Sequence, residues 1–196
     1  MFFEQDKLKQ LKIYYLFMHA DGESSPAEKR YLNEILSKSE LSEESAQEFQ
    51  AFCGERALAL STETPETIIK KIDDILGEKR TGFFWPFKTL DRDKTLQAQT
   101  IWTLINLGYA DSEYSEAEKQ VVNHLIQRWN TNPVLVAEFN DTADTILAMT
   151  LQKEWVQKSN RQPADISRII QELDRSIASM LANVEISISE ANIAIA

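Results

Sequence analysis

The chain repeats itself. Residues 16–36, LFMHADGESSPAEKRYLNEIL, align without a gap on residues 106–126, NLGYADSEYSEAEKQVVNHLI, at an offset of 90. The identical pairs are Ala20/Ala110, Asp21/Asp111, Glu23/Glu113, Ser25/Ser115, Ala27/Ala117, Glu28/Glu118, Lys29/Lys119 and Asn33/Asn123. The same offset returns at Glu48-Phe49 and Glu138-Phe139. A period of this length exceeds that of a solenoid unit. It predicts a pair of pseudo-symmetric halves that pack together.

Each half reads as helices. Leu8, Leu11, Tyr15 and Met18 recur at steps of three and four, one face of a helix over residues 5–20. Ile101, Leu104, Ile105 and Gly108 repeat the face over 93–110. Second helices start at Pro26 and Glu116, with Tyr31, Leu32, Ile35 and Leu36 inward in one and Val121, Val122, Leu125, Ile126 and Trp129 in the other. Third helices begin near Ser42 and Asn132, both good N-caps. The first half adds a helix from Pro65 to Leu76, and the second continues from Thr145 to about Lys158. Gly and Pro number only 5 each in 196 residues, too few for the closely spaced turns of a β-sandwich or barrel. The expected fold is all-α: a helical bundle of two helix-loop-helix halves, followed by a C-terminal helix and tail. The duplicated domain spans 1–158, with halves at about 1–76 and 93–158 joined by an aromatic linker, 77–92; residues 159–196 form the C-terminal extension.

The acidic loops between the first and second helices carry the best candidate site. In Asp21-Gly22-Glu23-Ser24-Ser25-Pro26-Ala27-Glu28, Ser25 and Glu28 have the spacing of a capping box and Pro26 suits the first helical turn. Ser115 and Glu118 repeat the box. Gly22 suits a left-handed turn; Ser112 stands in its place in the second copy and either accepts a steric cost or turns differently. The cap does not use Asp21, Glu23, Asp111 or Glu113. Together with Glu28 and Glu118 they offer the hard oxygen ligands that suit calcium or magnesium. The spacing is not that of an EF-hand, whose twelfth position, counted from Asp21, falls on Leu32. Capping and cation binding both stand as readings.

An apolar helix ending in Ala-Asp-Gly, followed by Glu-Ser-Ser-Pro-Ala-Glu-Lys-Arg, resembles the bacterial TerB-like family associated with tellurite resistance. The resemblance covers roughly residues 8–150 and both copies of the motif. It implies an all-α bundle with internal pseudo-two-fold symmetry, no enzymatic reaction, and acidic loops that take metal cations at Asp21, Glu23, Glu28, Asp111, Glu113 and Glu118. Family members act in stress-response operons and as modules of larger proteins, membrane-bound DnaJ-type cochaperones among them. Ser112 departs from the family's glycine, which puts the geometry of the second loop in question.

Charge and composition exclude other classes. Lys and Arg number 21 against 31 Asp and Glu, a net charge of −10 that repels a nucleic-acid backbone. Cys53 is the sole cysteine, so neither an internal disulfide nor a thiolate cluster forms, and it reads as a small buried residue. His19 and His124 are not equivalent under the repeat, which argues against a shared histidine site. The opening residues lack a basic stretch leading into an apolar one, and no apolar run reaches membrane-spanning length, so the cytoplasm is the expected compartment. A hydrolase using Asp21/Glu28 or Asp111/Glu118 with a metal is the weakest functional alternative, since neither loop holds a His or Lys base.

Two segments suggest partners. Phe83, Phe84, Trp85 and Phe87 lie in a stretch, 78–94, with five basic and three acidic residues. Such a segment either rests on an anionic membrane surface, placing the chain at the periphery of the inner membrane, anchors a protein partner, or folds back onto the bundle. In the tail, Val184, Ile186 and Ile188 alternate with polar residues, a strand signal after a helix over 164–182. A lone strand needs a partner edge; the other reading of the tail is an extra helix packed on the bundle. Either segment would serve a scaffold that docks partners without metal.

Overall fold

A computed structural model describes residues 2–56, 63–77, 90 and 93–191. Its helices are α1 (Phe2–Phe17), α2 (Pro26–Lys38), α3 (Glu43–Arg56), α4 (Pro65–Leu76), α5 (Lys94–Gly108), α6 (Glu116–Trp129), α7 (Pro133–Gln157) and α8 (Pro163–Glu190). The described residues contain no strand, so the chain is all-α. It divides into two compact units, Met1–Thr131 and Asn132–Ala196. The division falls where Asn130 turns left-handed (φ 48°) to end α6 and the Asn132 side chain caps α7 by accepting from the Val134 N–H at 2.9 Å.

In the first unit α1 and α5 are the central helices. Leu11, Ile13, Leu16 and Phe17 of α1 and Ile101, Leu104, Ile105 and Leu107 of α5 are almost wholly buried. Apolar residues surround both helices on most sides, the pattern of a helix inside a bundle. α1 packs on α2, α3, α4 and α5, and α5 also packs on α2 and α6. α4 is amphipathic and buries Ile68, Ile72 and Leu76. Between the central helices the Gln10 amide donates to the Thr100 hydroxyl at 2.9 Å, joining two positions 90 residues apart. A buried pair of this kind costs little only because both partners are satisfied.

α1–loop–α2 and α5–loop–α6 share one plan, and beyond it the halves diverge. α3 and α4 are separate helices, whereas α7 runs unbroken from Pro133 to Gln157. The duplicated segment expected to reach residue 158 therefore crosses the boundary between the compact units, which lies after Thr131.

The second unit is an antiparallel hairpin of α7 and α8. Its sense is fixed by two side-chain bonds: the Ser187 hydroxyl donates to Glu138 at 2.7 Å, and the Lys153 ammonium pairs with Asp174. Residues 135, 139, 142, 146, 149, 153 and 156 of α7, and 166, 170, 173, 177, 180, 184 and 187 of α8, step by fours and threes, the heptad spacing of a coiled coil. The strand expected at Val184, Ile186 and Ile188 does not form; α8 continues through all three. The helix buries Val184 and Ile188, one turn apart, and leaves Ile186 55% exposed. Five alternating residues could not outweigh a heptad pattern already running from Ile166, since packing overrides β-propensity.

Candidate functional site

Both acidic loops are built by the same local bonds. In the first, the Glu28 N–H donates to the Ser25 hydroxyl at 3.1 Å and the Ser25 N–H to the Glu28 carboxylate at 2.7 Å. In the second the corresponding distances are 3.2 and 2.8 Å at Glu118 and Ser115. Both capping boxes are therefore complete, and they satisfy helix N–H groups that would otherwise lack partners. Upstream, Asp21 accepts from the Glu23 N–H at 3.0 Å and Asp111 from the Glu113 N–H at 3.1 Å. These are Asx-turns, in which the side chain imitates a backbone turn. Gly22 has φ 86° and Ser112 has φ 74°, so the serine accepts the left-handed conformation that the glycine takes freely.

The loops differ from their sequence reading in burial. Asp21, Glu23, Asp111 and Glu113 are exposed, but Glu28 and Glu118 are only 5% and 3% exposed. Burial raises the Glu28 carboxyl above its ordinary range, and the charges of Asp111 and Asp21 push the same way, against the Ser25 hydrogen bonds. Burial lifts Glu118 further, to about 8, with Glu28 and Asp21 adding to it. Each glutamate thus feels carboxylates of the other copy. The fold has brought together two loops that lie 90 residues apart in sequence. Among the described residues no group of three or more His, Cys, Asp or Glu side chains is gathered closely enough to hold a metal ion. One oxygen each of Asp21, Asp111, Glu28 and Glu118 is already engaged by backbone N–H groups.

Other residues weighed from the sequence fall elsewhere. The Cys53 thiol is half-buried and pushed up to about 11 by burial, which makes it a poor nucleophile. Burial lowers His19, whose ring meets Tyr15 edge-on at 5.2 Å. Phe83, Phe84, Trp85 and Phe87 lie outside the described residues. No described helix is long and apolar enough to cross a membrane.

Two groupings escaped the sequence. His124 Nε2 lies 2.9 Å from Asp73, to which Arg128 also donates at 3.0 Å, while the second Arg128 nitrogen donates to the Gly77 carbonyl at 2.7 Å. This network ties α6 to the C-terminal end of α4, where a cation is favoured by the helix dipole. A cavity of about 520 Å³ among α1, α3 and α4 is lined by Lys9, Lys12, Arg56 and Lys71 beside Glu48 and Asp74. Its residues come from three helices, so no local pattern could have announced it.

Comparison with known proteins adds no relative: no family model matches the chain, and neither the curated proteins nor the solved structures contain a match.

Proposed function

We propose that the chain is a non-enzymatic, TerB-like interaction module whose two acidic loops together take up a divalent cation, calcium or magnesium, and present the result to a protein partner. The observation that supports this reading is that acids of one copy bear on the buried glutamate of the other: Asp111 adds to the rise of Glu28, and Glu28 and Asp21 add to that of Glu118. A cation bound near Glu28 and Glu118 would relieve the burden of their buried charge and displace protons from them. A stress-response or membrane-proximal assembly is the setting that the family resemblance suggests. Catalysis is the weaker reading, because the cysteine is held as a thiol and the carboxylates nearest each other are occupied as caps.

A metal-independent scaffold is the second reading, favoured by the completeness of both capping boxes. Thermal melts of EDTA-stripped protein, with calcium, magnesium, manganese and zinc added separately, separate the two. A metal at about 100 times its dissociation constant stabilises by about 2.7 kcal/mol. In a chain of this size that is a rise on the order of 5–10 °C. The rise is expected above pH 8, to shrink as Glu118 protonates, and to vanish in the Asp21→Asn, Asp111→Asn variant. Melts unmoved by every metal would leave the loops as caps and transfer the reading to the scaffold.

A further inference from the structure

We propose that the cavity among α1, α3 and α4 binds a small organic anion with an apolar chain, its phosphate or carboxylate head held by Lys9, Lys12 and Arg56. The cavity has a volume of about 520 Å³, the size of a ligand pocket. Its lining joins two chemistries. Leu8, Leu16, Phe52 and Ile75 supply apolar surface, and the first three are buried. Lys9, Lys12, Arg56 and Lys71 bring four positive charges against the two negative ones of Glu48 and Asp74, in a chain whose net charge is −10. A site lined in this way suits a molecule that is apolar at one end and anionic at the other.

One ring gathers the cations. Arg56 lies over Phe52, 4.0 Å from the ring centre, and donates to the Phe52 carbonyl at 3.3 Å. Lys12 comes from α1 to within 5.2 Å of the centre of the same ring. The face of an aromatic ring attracts a cation, so Phe52 draws two like charges to one place. The acids around them compensate weakly. Lys12 pairs with Glu48 at 2.6 Å and Arg56 with Glu55 at 3.3 Å, but those carboxylates are 57% and 73% exposed, and an ion pair standing in water contributes little. Lys71 has the firmer partner, Glu63, which is only 14% exposed, so Lys71 is left out of the head-group site. Lys9 makes no ion pair among the described residues. An anion seated on the apolar surface meets Lys9 directly and takes the place of Glu48 and Glu55 at the other two cations. The planar fork of Arg56 matches a phosphate or carboxylate head. Glu48 is thus an internal competitor for the site.

Isothermal titration calorimetry of the full chain with octyl phosphate, kept below its micelle concentration, tests this. Saturable binding at one site is expected. Octanol lacks the charge and inorganic phosphate lacks the chain, and each is expected to bind at least about tenfold more weakly. Lys12→Gln together with Arg56→Gln should weaken octyl phosphate by about tenfold. Glu48→Gln removes the competitor and should tighten binding by about threefold, a change that a damaged fold would not produce. Absence of saturable binding to the wild type overturns the proposal. So does equal binding of octanol or inorganic phosphate, a Lys12→Gln, Arg56→Gln variant of unchanged affinity, or a Glu48→Gln variant that binds no tighter. Binding to vesicles containing phosphatidic acid, with none to octyl phosphate, overturns it as well, since the anion would then be met on a bilayer and not in the cavity.

Discussion

The loops at 21–28 and 111–118 have the same hydrogen bonds to within 0.1 Å, yet they reach them by different means. The first puts glycine at the left-handed position, proline at the start of its helix, and a large Met18 just past the end of α1. The second has Ser112, Glu116 and Gly108 at those places and a large Tyr114 where the first has Ser24. A Cβ built on Gly108 would sit 2.5 Å from the Tyr114 ring. In the second copy the Tyr114 ring, coming from the loop, takes the space that a side chain at 108 would need. The polar bonds of the motif are kept while the apolar residues beside them differ, so the backbone turn follows the caps rather than one particular packing.

The largest expected effect breaks this exchange. Gly108→Met drives a side chain into the Tyr114 ring and should destabilise by about 2–3 kcal/mol, the cost of overpacking. Tyr114→Ser in that background recreates the arrangement of the first copy and should recover most of the loss in a urea titration. If the double variant is no better than the single, the two residues do not exchange places in packing.

The next effect separates the two buried glutamates. A carboxyl whose folded pKa is raised holds its proton more tightly in the native state, so its contribution to stability is present at low pH. That contribution is lost as pH rises from about 4.5 through the folded value, near 8 for Glu118. Glutamine fits the same capping position without the charge. Glu118→Gln should therefore flatten the fall in stability across that range and raise the melting temperature at pH 8. Glu28→Gln should act in the same direction. Unchanged pH profiles in both variants would show that neither carboxyl is held protonated.

The smallest effect tests the left-handed turn. Gly22→Ala should cost on the order of 1–2 kcal/mol and Ser112→Gly should gain part of the same amount, opposite signs at equivalent positions. Thermal melts giving the same sign for both would mean that the two turns are not equivalent.

A second contrast lies between the compact units. The first buries its apolar residues on central helices with neighbours on several sides. The hairpin is made of two helices only and leaves Leu151 and Trp155 in solvent. A pair of helices has too little interior to enclose a helix that is apolar on two faces.

Much of the fold was legible in the chain. The caps at Ser25, Ser115 and Asn132, the helix starts at Pro26 and Pro65, and the all-α class follow from residues within a few positions of one another. The candidate site was legible in its parts, since Asp21, Glu28, Asp111 and Glu118 stand out from the repeat. Its arrangement was not. The sequence reading treated each loop by itself and missed that Glu28 and Glu118 are buried within reach of each other's charge. It also missed the Asp73–His124–Arg128 network, whose members come from different helices.

By itself the sequence determined where helices begin, how they are capped and that one motif occurs twice, because those depend on hydrogen bonds between near neighbours and on the period of apolar residues. Only the tertiary structure decided which carboxylates lose water, that α8 runs through the tail, and which face of α7 is left uncovered. Burial and charge at one residue are set by whatever packs around it, here from helices as far as 90 positions away, and no local window of sequence contains that information.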